Sequence, residues 1–177
     1  IGRKELSSLE VSNSHGKFKF LRYNLETDKP DNNSDFIIES APLASYDQEL
    51  FAELYVNAGY TISRLKIEDP IKDENGEFSE YGLVAEKRID EEGNEYNYEP
   101  AYYVITDING KSHKIIIGDM LVTGGGYYVQ YVEVTENGET KRDAVYILGS
   151  TMGNSVQSTI ESYIKPSLTY PMSMANY

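Results

Sequence analysis

Alternating apolar residues, glycine-bearing turns and only two helical stripes predict an α+β fold: mostly antiparallel strands, with two principal helices packed on the sheet faces. Period-two alternation recurs in runs such as Lys17–Leu21 and Tyr127–Val132. Turns at His15-Gly16, Asn109-Gly110 and Asn137-Gly138 separate these runs at hairpin spacing. A period near 3.6 appears only around Leu50 and again around Val156.

The elements follow in chain order. "LSSLEVSNSHGKFKFLRY" reads as two strands around His15-Gly16, with Phe18, Phe20 and Arg22 on one face and Lys17, Lys19 and Leu21 on the other. "DKPDNNSD", Asp28 to Asp35, is loop by composition, and "DFIIES" is a third strand. In "SYDQELFAELYVNAG", Ser45 and Gln48 fit a capping box that starts a helix. Leu50, Phe51, Leu54 and Ala58 form its apolar stripe, and Gly59 fits the left-handed position that ends it. "YTISRLKIED" is the next strand. From Glu68 to Glu99 twelve acidic residues face only Lys72, Lys87 and Arg88, so this segment is expected as exposed hairpin tips and loops. "AYYVITDINGKSHKIIIG" is strand, turn, strand; "GYYVQYVEV" and "DAVYIL" are further strands. "NSVQSTIESYI" is the second helix, with Val156, Ile160 and Ile164 four apart, a capping spacing at Asn154 and Gln157, and Pro166 as its stop.

The 177 residues suit a single domain, residues 1–177. Setting "HGKFKFLRY" beside "NGKSHKIII" suggests a duplicated ββ(β)α unit, with halves 1–68 and 98–166 joined by an acidic insertion, 69–97.

Composition excludes several functions. The net charge is −13, which repels phosphate backbones and anionic headgroups, so no nucleic-acid partner is expected. There is no cysteine, which removes disulfides, thiolate chemistry and cysteine-based zinc sites. The 16 tyrosines, with no tryptophan, suit half-buried strands that keep a hydroxyl in water. No apolar run reaches the roughly 20 residues of a membrane span. The opening "IGRKEL" has neither Met nor a signal-peptide core, as expected of a piece from which an N-terminal anchor was trimmed.

The candidate chemistry is thin. Gly124 to Gly126 has no following Lys and leads into Tyr127-Tyr128, a strand, where a phosphate-binding loop needs a helix N-terminus. It reads as a bend between strands. "GSTMG", Gly149 to Gly153, resembles a nucleophile elbow with Thr151 in the nucleophile's place, but His15 and His113 both precede it, against the hydrolase order. Asp31, Asn33 and Asp35 have the spacing of an EF-hand start, but Phe36 replaces the required Gly and Pro42 the closing Glu. No catalytic residue, metal site or cofactor is assigned. A ligand surface is placed at Tyr127, Tyr128 and Gly125, where coplanar tyrosines beside the glycine loop would take a glycan or peptide.

The second half also resembles a known family. Tyr81-Gly82-Leu83, Ile117-Gly118-Asp119, the run Thr123 to Tyr128 and the strand Val145 to Leu148, followed by a helix, are similar to the bacterial family called domain of unknown function 4340. The first half fits as well, with "FAELYVNAGYTISRLKIED" leading to the Tyr-Gly-Leu; the acidic stretch Val84 to Tyr98 departs from the pattern. The resemblance implies a membrane-anchored, extracytoplasmic bacterial protein that accompanies ABC-type export or gliding-motility systems, and it carries over no catalytic residue. The resulting expectation is a non-enzymatic domain that binds or scaffolds a protein partner in a membrane complex. A glycan- or peptide-binding surface module is the alternative, and a hydrolase centred on Thr151 the third.

Overall fold

In the computed structural model of the chain, which describes residues 2–60 and 62–165, the alternation becomes strands. They are β1 (Leu6–Asn13), β2 (Gly16–Asn24), β3 (Lys29–Pro30), β4 (Phe36–Ile38), β5 (Ile62–Lys66), β6 (Glu86–Ile89), β7 (Glu95–Tyr98), β8 (Ala101–Asp107), β9 (Ser112–Met120), β10 (Gly126–Thr135), β11 (Gly138–Lys141) and β12 (Tyr146–Gly149). Two α-helices accompany them, α1 (Gln48–Tyr60) and α2 (Ser150–Val156). The main sheet runs β3-β2-β1-β8-β9-β10-β12-β5, with β4 also on β2 and β11 also on β10. Its named pairings are antiparallel, and β6–β7 forms a separate two-stranded sheet. The expected α+β class, mostly antiparallel with two helices, is the observed one.

Three turns use the same device, and two of them close the β6–β7 and β8–β9 hairpins. Asp73, Asp90 and Asp107 each accept, on Oδ1, two backbone N–H groups from just downstream: Asn75 and Glu77, Glu92 and Asn94, Asn109 and Lys111. A glycine three residues after each Asp takes a left-handed φ: 76° at Gly76, 85° at Gly93 and 82° at Gly110. Side-chain carboxylate and glycine together satisfy a turn that would otherwise leave N–H groups unpaired. Asp31 works similarly. Its oxygens accept from the Asn33 N–H and the Ser34 hydroxyl, and these bonds, that of Asn33 foremost, hold its carboxyl below the usual range.

One sheet face carries Leu9, Val11, Phe20, Tyr103, Ile115, Ile117 and Val129, and both helices lie on it with Phe51, Leu54, Ala58, Met152 and Val156. The helices therefore share a face. The other face buries Ile116, Val132 and Val145 under Phe78, Tyr81 and Leu83. Part of the acidic segment expected at the surface is thus a lid on the second core: Phe78 is 2% and Leu83 1% exposed. The remainder, from Glu86 to Tyr98, is the exposed hairpin expected.

Both helix boundaries differ from expectation. Asp47, not Ser45, caps α1: its Oδ1 accepts the N–H of Glu49 (3.0 Å) and of Leu50 (3.1 Å). The Ser45 backbone is drawn instead to the C-terminal segment, where its carbonyl accepts the Lys165 N–H and Tyr46 bridges Ile164. Gly59 lies within α1, which runs to Tyr60. Leu50 is 40% exposed, so the buried stripe is Phe51, Leu54 and Ala58. The second helix starts at Ser150 and stops at Val156; Ile160–Ser162 is a separate 3-10 turn. Asn13 of β1 explains the stop, since its Nδ2 donates to the carbonyls of Val156 (2.7 Å) and Ser158 (2.8 Å) and takes the acceptors that would continue the helix. Pro166 lies outside the described residues.

Tyr103 is fully buried, its hydroxyl has no partner among the described residues, and burial pushes its pKa up. An orphan buried hydroxyl is destabilising. Tyr103→Phe is therefore expected to raise the unfolding free energy by about 1 kcal/mol, read as a higher urea midpoint at unchanged slope. A lower midpoint would mean that the hydroxyl is satisfied.

Candidate functional site

At the end of the sheet where β1 and β9 finish and β8 and β10 begin, a groove of about 680 Å³ opens against the β6–β7 hairpin. It exists because the ladder stops early. The last β8–β9 pair is Ala101 opposite Ile117, and Pro100, with no N–H, cannot extend it. β9 continues alone on that side through Gly118, Asp119 and Met120.

Two glycine-bearing segments interlock beneath this opening. Tyr81-Gly82-Leu83 closes a 3-10 turn (Ser79–Tyr81), with Gly82 at φ 72°. It packs directly on Ile117-Gly118-Asp119. A Cβ at Gly118 would stand 2.1 Å from the Tyr81 carbonyl oxygen, and one at Gly82 would stand 2.6 Å from the Asp119 carboxyl carbon. At Gly118 the clash is with backbone and demands glycine; at Gly82 it is with the Asp119 side chain, and the left-handed φ of 72° is what favours glycine.

The hairpin is latched to this pair of segments. The Tyr98 hydroxyl donates to the Gly82 carbonyl at 2.8 Å. The Arg88 guanidinium donates to both Asp119 oxygens at 3.1 and 3.4 Å and to Glu86 at 2.9 Å, and its central carbon lies 3.5 Å from the Tyr98 ring centroid. Burial works against the Arg88 charge, but Asp119 and Glu86 outweigh it and raise its pKa. Burial first, and then Asp119, push the Tyr98 pKa up to about 12, so it remains a neutral donor.

The residues expected to bind a ligand are not brought together as one surface. Tyr127 is 9% exposed on the helix-covered face. Its ring lies where a Cβ at Gly153 would come within 2.1 Å, and its hydroxyl donates to Asn154 Oδ1 at 2.8 Å. Tyr128 points to the opposite face, half-buried, with its ring edge-on to Tyr81 at 5.0 Å. Adjacent strand residues alternate in direction, so the two rings cannot be coplanar neighbours. Gly125 sits in the exposed connection between β9 and β10, which Leu121 closes by donating its N–H to the Gly126 carbonyl. Of the three, Tyr127 lines the groove. The other lining tyrosines, Tyr96, Tyr98 and Tyr102, were not singled out from the sequence. Two of them come from the hairpin, and no local pattern signals that it folds back on β9.

Thr151 is exposed in the first turn of α2. His113 pairs with Glu133 while Gly126 pairs with Gly149, which puts the two ends of β10 roughly 23 Å apart at strand rise. His15 lies in the exposed turn after Asn13, whose side chain binds the opposite end of α2. Neither histidine is placed against Thr151.

His113 bonds through Nδ1 to the Tyr131 hydroxyl. Burial, then Lys111, lower its pKa below 6.5, against Asp107 and Glu133. The folded state therefore takes up this proton later than the unfolded chain does as pH falls. The contribution to stability is complete above pH about 6.5 and declines below it, through the folded pKa. His113→Gln is expected to lose less stability than the parent between pH about 7 and 5, measured by urea unfolding; parallel curves would refute the assignment.

Comparison of the chain with protein-family models, curated proteins and solved structures returned no match.

Proposed function

We propose that this chain is a non-enzymatic, partner-binding domain of a membrane-anchored, extracytoplasmic bacterial protein that works beside an ABC-type transport system. The observation that supports this best is where the family-like motifs lie. Tyr81-Gly82-Leu83 and Ile117-Gly118-Asp119, far apart in sequence, interlock at the tyrosine-lined groove. A signature spent on shaping a surface suits a binder or scaffold; a reaction centre would demand a nucleophile and base in contact. No helix among the described residues is long and apolar enough to cross a membrane; the proposed anchor rests on the family resemblance alone.

A duplicated unit belongs to the same proposal. The β2-β1 and β8-β9 hairpins lie side by side, joined through β1–β8, and α1 and α2 share a face. The match is by element and not by the turn glycines. That alignment sets Phe18 and Phe20, on the helix-covered face, against Ser112 and Lys114, which share the face of Ile116. The β8–β9 turn is longer, and a shift of one residue puts Phe20 opposite Ile115 and restores the faces.

The test uses the full-length protein in its own cells. It is expected in the membrane fraction, open to protease added outside the cytoplasmic membrane, and crosslinked to a transport component. Recovery from the soluble cytoplasmic fraction would refute the proposal.

A further inference from the structure

We propose that the groove takes an extended, lysine- or arginine-bearing segment of a partner protein, an inference that rests on the reading of this chain as a binding domain. The groove's lining supplies the first reason. Its charged side chains are Glu99, which is exposed, and Asp119, which Arg88 already binds, and no Lys or Arg of the described residues lines it. Tyr96, Tyr98, Tyr102 and Tyr127 line the same groove, so Glu99 shares it with four aromatic rings. Carboxylate beside aromatic face is the pairing that holds a cation.

The chain's own cations supply the second reason. Arg88 stacks on Tyr98 while paired with Asp119. The Nζ of Lys114 stands 4.2 Å and that of Lys17 5.7 Å from the Tyr102 ring centroid. At two of the four tyrosines, Tyr98 and Tyr102, a cation of this chain already lies against the ring. Tyr96 is 44% exposed, and no cation of the described residues stacks on its ring.

Strand pairing supplies the third. Gly118 to Met120 continue β9 past the last β8 residue, so an extended segment would lie where β8 would have continued. Outside the lining, the β6–β7 hairpin carries Asp90, Glu91, Glu92 and Glu95, all exposed, with Glu95 paired to Lys87; their net field favours the approach of a basic chain and repels anionic lipid. A neutral sugar would gain nothing from that field.

The probe is a fluorescein-labelled octapeptide of alternating lysine and threonine, with alternating glutamate and threonine as its counterpart, read by anisotropy on the whole chain. The lysine peptide is expected to bind and the glutamate peptide not to bind. Tyr96→Ser with Glu99→Gln is expected to weaken binding about tenfold or more. Both residues are exposed, so the melting temperature should hold. Glu136→Gln, which removes a similar charge at the far end of β10, is expected to change binding less than about twofold. Equal weakening by Glu136→Gln, or no binding by the parent chain, would overturn the proposal. Binding of neutral cello- or chito-oligosaccharides, abolished by the Tyr96/Glu99 variant, would also overturn it while leaving the binding-domain reading intact. That reading fails separately, in the fractionation and crosslinking experiment above.

Discussion

Phe51→Ala is expected to lower the unfolding free energy by about 3–5 kcal/mol, a large share of the roughly 5–15 kcal/mol that stabilises a domain. The ring is 1% exposed. It stacks on Phe20 at 4.3 Å and meets Phe36, Tyr46 and Tyr55 at 5.0, 5.7 and 5.2 Å. These partners come from β2, β4, the segment before α1 and α1 itself, so one side chain ties the helix to the sheet. Truncation forfeits the buried area and leaves a cavity that the rigid rings around it cannot collapse into. The loss should also appear as reduced helicity, because a helix of 13 residues is marginal in water without its docking face. Urea unfolding and far-UV circular dichroism read the two effects together. Phe51→Leu, which keeps most of the volume, should cost less than half as much. An alanine cost below about 1 kcal/mol would mean that α1 is held elsewhere.

Local chemistry was legible in the sequence wherever local chemistry decides the structure. The Asp-x-x-Gly turns at Asp73, Asp90 and Asp107 depend on a carboxylate and a glycine within a few residues, so sequence suffices to place them. The faces of β10 were legible too, because alternation is a property of one strand. Boundaries set by distant partners were not. Ser45 offered a capping spacing as good as any, but the chain around it is held by Tyr163, Ile164 and Lys165, and the nearby Asp47 took over the N-terminus. The stop of α2 depends on Asn13, more than a hundred residues earlier. The second core escaped notice because Phe78, Tyr81 and Leu83 are few among many acids, and only the tertiary fold shows what they cover.

The candidate site divides along the same line. Tyr127 was picked out as a neighbour of the glycines, and it does line the groove. The opposite direction of Tyr128 follows from the same alternation that was already in hand. The Arg88–Tyr98–Asp119 latch has no sequence signal, since it joins a hairpin outside the main sheet to the end of a strand. Nothing local in the sequence gives a physical reason for glycine at 82 or 118. The interlock supplies one: each glycine is where the other segment needs room.

That reason makes Gly118→Ala a sharp test. The added Cβ would meet the Tyr81 carbonyl oxygen at 2.1 Å, with Leu83 Cδ2 at 3.0 Å and the Gly82 carbonyl carbon at 3.2 Å. The first and third of these are backbone, so no side-chain rotation relieves the clash. The Tyr81-Leu83 segment must lift from β9, at an expected cost of about 3 kcal/mol, the upper end of the usual overpacking range. Gly125→Ala is the control: the nearest atom is Thr123 Oγ1 at 3.9 Å, and the change should stay within about 0.5 kcal/mol. The damage should also be directional. Leu83→Ala should cost less in the Gly118→Ala background than in the parent, because the lifted segment no longer buries Leu83 fully. The α1 face, on the other side of the sheet, should keep its near-native circular dichroism. If the groove is the binding surface, Gly118→Ala should lose the lysine peptide while the rest of the fold survives. A variant as stable as the parent that still binds would mean that the two motifs do not pack as described.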